Sequence, residues 1–117
     1  MIKAEEIVDE WMTAAEVAEL LDIPVTKVHR KVEDRVLLGL KFGTPPTLRV
    51  PSLFIKDGEP VRALKGTLIL LHDVGFSDDE AIAWLYQNDD TLPGRPIDFL
   101  RRGEKSEIRR RAQALAL

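Results

Sequence analysis

Trp11-Met12-Thr13-Ala14-Ala15-Glu16-Val17-Ala18-Glu19-Leu20-Leu21-Asp22-Ile23-Pro24-Val25-Thr26-Lys27-Val28-His29-Arg30-Lys31-Val32-Glu33-Asp34-Arg35 reads as two helices joined by a short turn. Thr13 and Glu16 have the spacing of a capping box. The Thr13 hydroxyl would accept from the amide of residue 16, and the Glu16 carboxylate from the amide of residue 13. Met12 and Val17 stand where a hydrophobic staple belongs. Ala14, Val17, Ala18 and Leu21 recur at helical spacing, and Ala18 is small where two helices would approach. Asp22 tolerates a left-handed backbone, so it can end the first helix without glycine. Pro24 suits a helix entrance because it lacks an N–H and has a fixed φ.

The second helix is expected over residues 25–34, with Val25, Val28 and Val32 as its buried stripe. At 100° per residue the opposite side carries Thr26, Lys27, Arg30 and Asp34, flanked by His29 and Lys31. A helix this polar and basic fits the recognition helix of a helix-turn-helix, which lies in the DNA major groove. An αα-hairpin with a solvated outer face explains the same pattern.

The next segment bears on that choice. Val36–Phe42 and Thr47–Pro51 are short β-prone runs, and Gly43-Thr44-Pro45-Pro46 is a turn cluster between them. A hairpin at residues 37–50, directly after such a helix, has the place of a wing. Lys41 and Arg49 would flank its tip and reach phosphate or a minor groove. Leu38, Leu40, Phe42 and Leu48 would cover the core, since alternate side chains face opposite ways. The candidate DNA contacts are therefore Thr26, Lys27, His29, Arg30, Lys31 and Arg35 on or just after the helix, and Lys41, Thr44 and Arg49 on the wing.

Charge distribution agrees with a local anionic partner although the chain carries a net −3. Residues 24–56 hold seven bases and two acids, while residues 1–23 hold one base and seven acids. Residues 57–100 are again acidic and residues 101–117 basic. Phosphates respond to the local patch, because screening limits charge interactions to about 8–10 Å at ordinary salt.

The helix pair, Val28-His29-Arg30-Lys31-Val32, the short basic hairpin and Pro51-Ser52-Leu53 together resemble the MerR/excisionase-type winged helix-turn-helix over about residues 11–55. Asp22 stands in place of that family's usual turn glycine, and Lys31 where an aromatic is common. The resemblance implies a DNA-binding protein with its second helix in the major groove and a supporting wing.

The rest of the chain reads as helices. Met1–Glu10 is expected to be a frayed lead-in or short amphipathic turn with Ile2, Ile7 and Val8. Val61–Val74 is apolar almost all round past Lys65, which predicts a central buried helix capped by Gly75. Ser77-Asp78-Asp79-Glu80 is a second capping box, and its acids suit a helix N-terminus rather than the alternating oxygen ligands of a calcium loop. The helix over residues 78–87 offers Ala81, Ile82, Trp84 and Leu85 to the core. Pro96–Arg102 and Glu104–Leu117 complete the set, with Ile108, Ala112 and Leu115 on the apolar side of the last. Arg109, Arg110 and Arg111 are a second phosphate contact or a solvated face. Trp84-Leu85 and Leu92-Pro93-Gly94-Arg95-Pro96-Ile97-Asp98-Phe99-Leu100 resemble the C-terminal module of Xre/MbcA/ParS-type antitoxins. With the winged unit in front, the chain is similar to small actinobacterial winged-helix DNA-binding proteins.

The expected fold is thus mainly α with a small β-hairpin wing: a winged helix-turn-helix over 1–57, then a small C-terminal helical bundle over 58–117, the two free to pack as one unit. The expected partner is double-stranded DNA, bound by a homodimer. The alternative is an antitoxin-like interaction module that holds a toxin or other protein through its C-terminal helices. No nucleophile–base pair or Gly-rich phosphate loop points to an enzyme. The chain has no Cys, and its two His are 43 positions apart, so no metal or cofactor is expected. Its apolar runs, Leu68–Leu71 among them, are far short of the ~20 residues that cross a bilayer. The acidic start lacks signal-peptide order, which fits a cytoplasmic protein.

Overall fold

The computed structural model describes residues 3–116. Among the described residues, the α-helices and strands run in the order α1 (Ala4–Ile7), β1 (Trp11–Thr13), α2 (Ala14–Leu21), α3 (Val25–Glu33), β2 (Leu40–Phe42), β3 (Thr47–Pro51), β4 (Ile55–Lys56), β5 (Glu59–Pro60), α4 (Leu64–Asp73), α5 (Asp78–Tyr86), α6 (Pro96–Arg101) and α7 (Lys105–Ala114). The architecture is mostly helical with a small antiparallel wing, as the patterning implies. Ile2 and Leu117, which the patterning assigns to the lead-in and the last helix, lie outside the described residues.

Local chemistry sets the helix ends. Thr13 Oγ1 accepts from the Glu16 amide at 3.1 Å and Glu16 Oε1 accepts from the Thr13 amide at 2.9 Å, closing the expected box. Asp22 is left-handed at φ 56°, and the Ile23 amide reaches back to the Ala18 carbonyl at 3.0 Å. Ser77 and Glu80 repeat the reciprocal pair at α5.

The lead-in is not frayed. Ala4 is fully buried, and its amide donates to Asp79 Oδ1 at 2.7 Å, so α1 packs on α5 from the other half of the chain. Trp11–Thr13, expected only to introduce a helix, forms an edge strand. It pairs antiparallel with β3, whose other edge carries β2, in the order β1-β3-β2. The wing strands are shorter than the 37–50 span. Leu37 and Leu38 are buried plugs between α3 and β2, and the Val36 and Leu37 amides return to the Lys31 carbonyl.

Four burial expectations need correction. Val25 is 42 % exposed because it stands in the first turn of α3, before that helix meets α2, and Val28 carries the contact instead. In α4, Leu64, Thr67, Leu68 and Leu71 are buried but Ile69 is 43 % exposed. That helix packs on α7 and α5 along one side and leaves the Ile69 side uncovered. Trp84 is only partly buried, whereas Tyr86, which periodicity passed over, is in the core. Leu115 lies beyond the end of α7 and is exposed.

One continuous hydrophobic cluster runs from Ala4, Val17, Val28 and Val50 through Phe54 to Leu68, Ile82, Ile97 and Ile108. The segment after β3 joins its two ends. Phe54 is fully buried with its ring 5.9 Å from that of Tyr86. The Leu53 amide donates to the Tyr86 hydroxyl at 3.1 Å. Arg101 Nη1 donates to the Leu53 and Ile55 carbonyls, each at 2.8 Å.

Burial pushes the Tyr86 phenol up to about 12, against the opposing help of the Leu53 amide. A phenol that ionises later in the fold than in the open chain stabilises the fold fully below the unfolded pKa near 10 and loses that contribution as pH rises toward 12. Tyr86→Phe should lower the melting temperature at pH 7, by removing the acceptor of the Leu53 amide at a cost of about 1–3 kcal/mol. It should also flatten the decline between pH 10 and 12. Thermal melts of both proteins across that range are the check; an equally steep decline in the variant would assign the alkaline lability elsewhere.

Candidate nucleic-acid interface

Helix α3 presents two differently furnished sides. On one, Thr26, Lys27, Arg30 and Lys31 line a shallow depression with Ile23, Glu33, Asp34 and Val36. The Arg30 side chain is 76 % exposed and pairs with Asp34, Nε to Oδ2, at 3.7 Å. An exposed i,i+4 pair of this length holds the guanidinium weakly. On the other side, His29 shares a groove with Thr13, Ala14 and Ala15 at the start of α2 and with Lys41, Pro46, Thr47 and Leu48 of the wing. The groove exists because α2 and α3 pack through Val17, Ala18 and Val28, while β3 buries Leu48 and Val50 behind them.

Ladder register separates the two wing cations. Lys41 pairs with Leu48, and Leu40 with Arg49. Side chains alternate across a strand, so Lys41 shares a face with Leu48 and Val50, at the groove. Arg49 shares the opposite face with Trp11 and Phe42. Its guanidinium carbon stands 5.2 Å from the Phe42 ring centre, and Nε is buried without a hydrogen-bond partner among the described residues. Thr44 is exposed in the turn between β2 and β3.

Arg35 has a different place from the one its charge suggests. It sits in a left-handed turn at φ 61°, and Nη1 lies 3.1 and 3.0 Å from the two ring nitrogens of His72 on α4. His72 Nε2 is 2.8 Å from Asp78 Oδ1, and Arg35 itself is 3.6 Å from the same oxygen. An imidazole protonated at Nε2 donates to Asp78 and accepts from Arg35 at Nδ1. This arginine therefore ties the end of the α3 segment to the C-terminal helices. The arginines of α7 are likewise engaged. Arg110 and Arg111 both donate to Glu107, holding its carboxyl down to about 2, and Arg111 also reaches Asp89. Arg109 packs against Gly66 so closely that a Cβ there would displace its guanidinium.

Sequence reading missed the start of α2 and Pro46–Thr47 as groove walls. The signal was faint: Trp11-Met12-Thr13 is β-prone, but three residues are too few to separate from a helix lead-in.

The helix pair, the sheet edge and the groove between them coincide with a known domain. The model of the winged helix-turn-helix domain of DNA-binding protein Rv2175c matches residues 4–55, and that of the Rv2175c C-terminal domain of unknown function matches residues 61–116. DNA-binding protein Rv2175c of Mycobacterium tuberculosis (strain ATCC 25618 / H37Rv) is 34 % identical over 113 residues, spanning 86 % of this chain and 76 % of that protein. The chain belongs to the Rv2175c family. An NMR structure of Rv2175c superposes on it with a TM-score of 0.82 at 31 % identity, covering 92 % of this chain and 82 % of that one. These matches support the winged helix-turn-helix and give no support to the MerR/excisionase or Xre/MbcA/ParS assignments. No helix among the described residues is long and apolar enough to cross a membrane, and no group of three or more His, Asp or Glu among them is placed to hold a metal ion.

Proposed function

We propose that this protein binds double-stranded DNA as a transcriptional regulator, with α3 in the major groove and the β2–β3 hairpin as its wing. The observation that carries the reading is the exposed face of α3. Thr26, Lys27 and Arg30 stand free of the core, and His29 shares a groove with Lys41 beside them. That groove is bounded by the start of a helix and by the wing, the geometry in which a recognition helix enters a major groove while a flanking element meets the backbone. Membership of the family of Rv2175c, a protein described as DNA-binding whose winged helix-turn-helix domain matches this chain, supports the same reading.

Arg30 has the roles open to a weakly held guanidinium at a base edge, where two parallel hydrogen bonds to guanine discriminate by roughly 1–3 kcal/mol. Lys41 meets phosphate, which carries no sequence information. Arg30→Ala should therefore relax the preference between matched and scrambled duplexes. Lys41→Ala should weaken binding to both alike and make the salt slope shallower by about one unit. Titrations of both variants at several salt concentrations test this; unchanged affinity and selectivity in both would remove the face from the interface.

A homodimer on DNA, formed through the C-terminal helices, belongs to this reading, since one recognition helix covers a short site and paired half-sites stand about 34 Å apart. Partly exposed Trp84, Leu92 and Leu115 around one groove near the end of α7 support it. Light scattering of the DNA complex decides between one and two copies.

A further inference from the structure

We propose that Arg49 is a positioning residue of the wing, clamping the β2–β3 turn so that Lys41 is presented on the opposite face, and is not itself a phosphate contact. The proposal rests on the DNA-binding reading and changes the part that one of its cations plays.

Four observations carry it. Arg49 lies on the central strand, paired with Thr13 on one side and Leu40 on the other, so its backbone is fixed from both edges. Its side chain lies over Phe42, whose ring meets Trp11 edge-on at 4.9 Å and 77°. A cation over the face of one ring and a second ring against that ring's flank make a three-member stack across all three strands. Nε is shielded from solvent and has no hydrogen-bond partner among the described residues, which suits a guanidinium laid flat on a ring and not one with its donor edge turned to an anion. The far end of the side chain reaches the turn. Nη2 is 3.5 Å from where a Cβ on Gly43 would stand, and Gly43 has φ +100°, a conformation other residues rarely adopt.

The Arg49 charge is also felt at Glu16. Glu16, held low first by the Thr13 amide and hydroxyl, is lowered further by the Arg49 charge. Stack and turn contact together hold Arg49 on the protein. Lys41, one face away, keeps its ammonium exposed beside His29. A wing that swings is a wing whose lysine arrives at a phosphate less often, and the stack limits that swing.

The experiment compares the full chain with Arg49→Lys, Arg49→Met, Phe42→Leu and Lys41→Ala, each titrated with the same duplex at several salt concentrations. Amide exchange at Lys41, Phe42 and Gly43 is followed in the free proteins. A clamp requires the planar stack, so both Arg49→Lys and Arg49→Met should weaken binding about threefold to tenfold, the range a stacked cation supports. The salt slope should stay that of the unsubstituted chain, whereas Lys41→Ala lowers it by about 0.9. Exchange in the turn should speed up in both Arg49 variants and in Phe42→Leu, and Phe42→Leu combined with Arg49→Met should be no worse than the more damaging single change. Wild-type-like affinity in Arg49→Lys together with a slope lowered by about 0.9 in Arg49→Met would overturn the proposal in favour of a direct phosphate contact. Unchanged turn exchange in both Arg49 variants would overturn it as well. Should the unsubstituted chain bind no duplex, the DNA-binding reading falls, and the exchange measurement still decides the clamp.

Discussion

Residues 1–57 prepared without the rest of the chain should show no cooperative melting transition and a collapsed amide spectrum. The winged unit is a sequence unit, since one family model ends at residue 55 and the next begins at 61, but its core does not close at that boundary. Ala4 is fully buried with its amide on Asp79, so α1 loses its support when α5 is removed. Phe54, fully buried beside Tyr86, would turn to water. The Leu53 amide and the Leu53 and Ile55 carbonyls would lose Tyr86 and Arg101. Domains of about 60 residues are marginal even when complete, and this one would open its base. Circular dichroism and a two-dimensional amide spectrum of the fragment are the test. A dispersed spectrum with a sharp melt would show that the winged unit closes its own core, and that the C-terminal helices are an attachment.

Phe54→Ala in the full chain should cost about 3–5 kcal/mol, the range for deleting a buried aromatic ring. For a chain of this size that is a fall of roughly 12–25 °C in melting temperature. Phe54 is the largest side chain on the segment that connects the sheet to the C-terminal helices, and it has no exposed surface. Trp84→Ala is the internal comparison. Trp84 is a larger residue, but it is only partly buried at the rim of a groove, so it should cost less than Phe54 despite its size. Matched thermal melts decide the order. A greater loss at Trp84 would mean that its groove is closed in solution, as a dimer through that face would require.

Periodicity alone would reverse the order of Phe54 and Trp84. Trp84 falls on an apolar stripe and Phe54 does not, because Phe54 stands in a single 3-10 turn between two short strands. Periodicity reports which side of a helix is apolar. It does not report whether another element arrives to cover that side, which is why Ile69 and Leu115 also look like core residues in the sequence and are exposed in the fold. Tyr86 is the converse: its burial depends on Leu53 and Phe54, more than thirty positions away.

Within the interface the same division holds. That α3 is a helix with a basic outer face follows from residues 25–34 themselves. The turn before it, the Thr13 box and the left-handed Asp22 follow from side-chain hydrogen bonding and local sterics, which act over three or four residues and are written in the sequence. The β2–β3 register puts Lys41 at the groove and Arg49 on the far face, and the pairing of β1 with β3, which joins segments about forty residues apart, brings Trp11 to the face of Arg49 and Phe42. Arg35 likewise reads as one more base after a basic helix until His72 and Asp78 are brought to it. Local propensity, capping and charge thus determined that this chain carries a helix-turn-helix, a wing and further helices. Which cations are free for a partner was decided by tertiary structure, because a charge is engaged or left open according to the neighbours that long-range packing delivers.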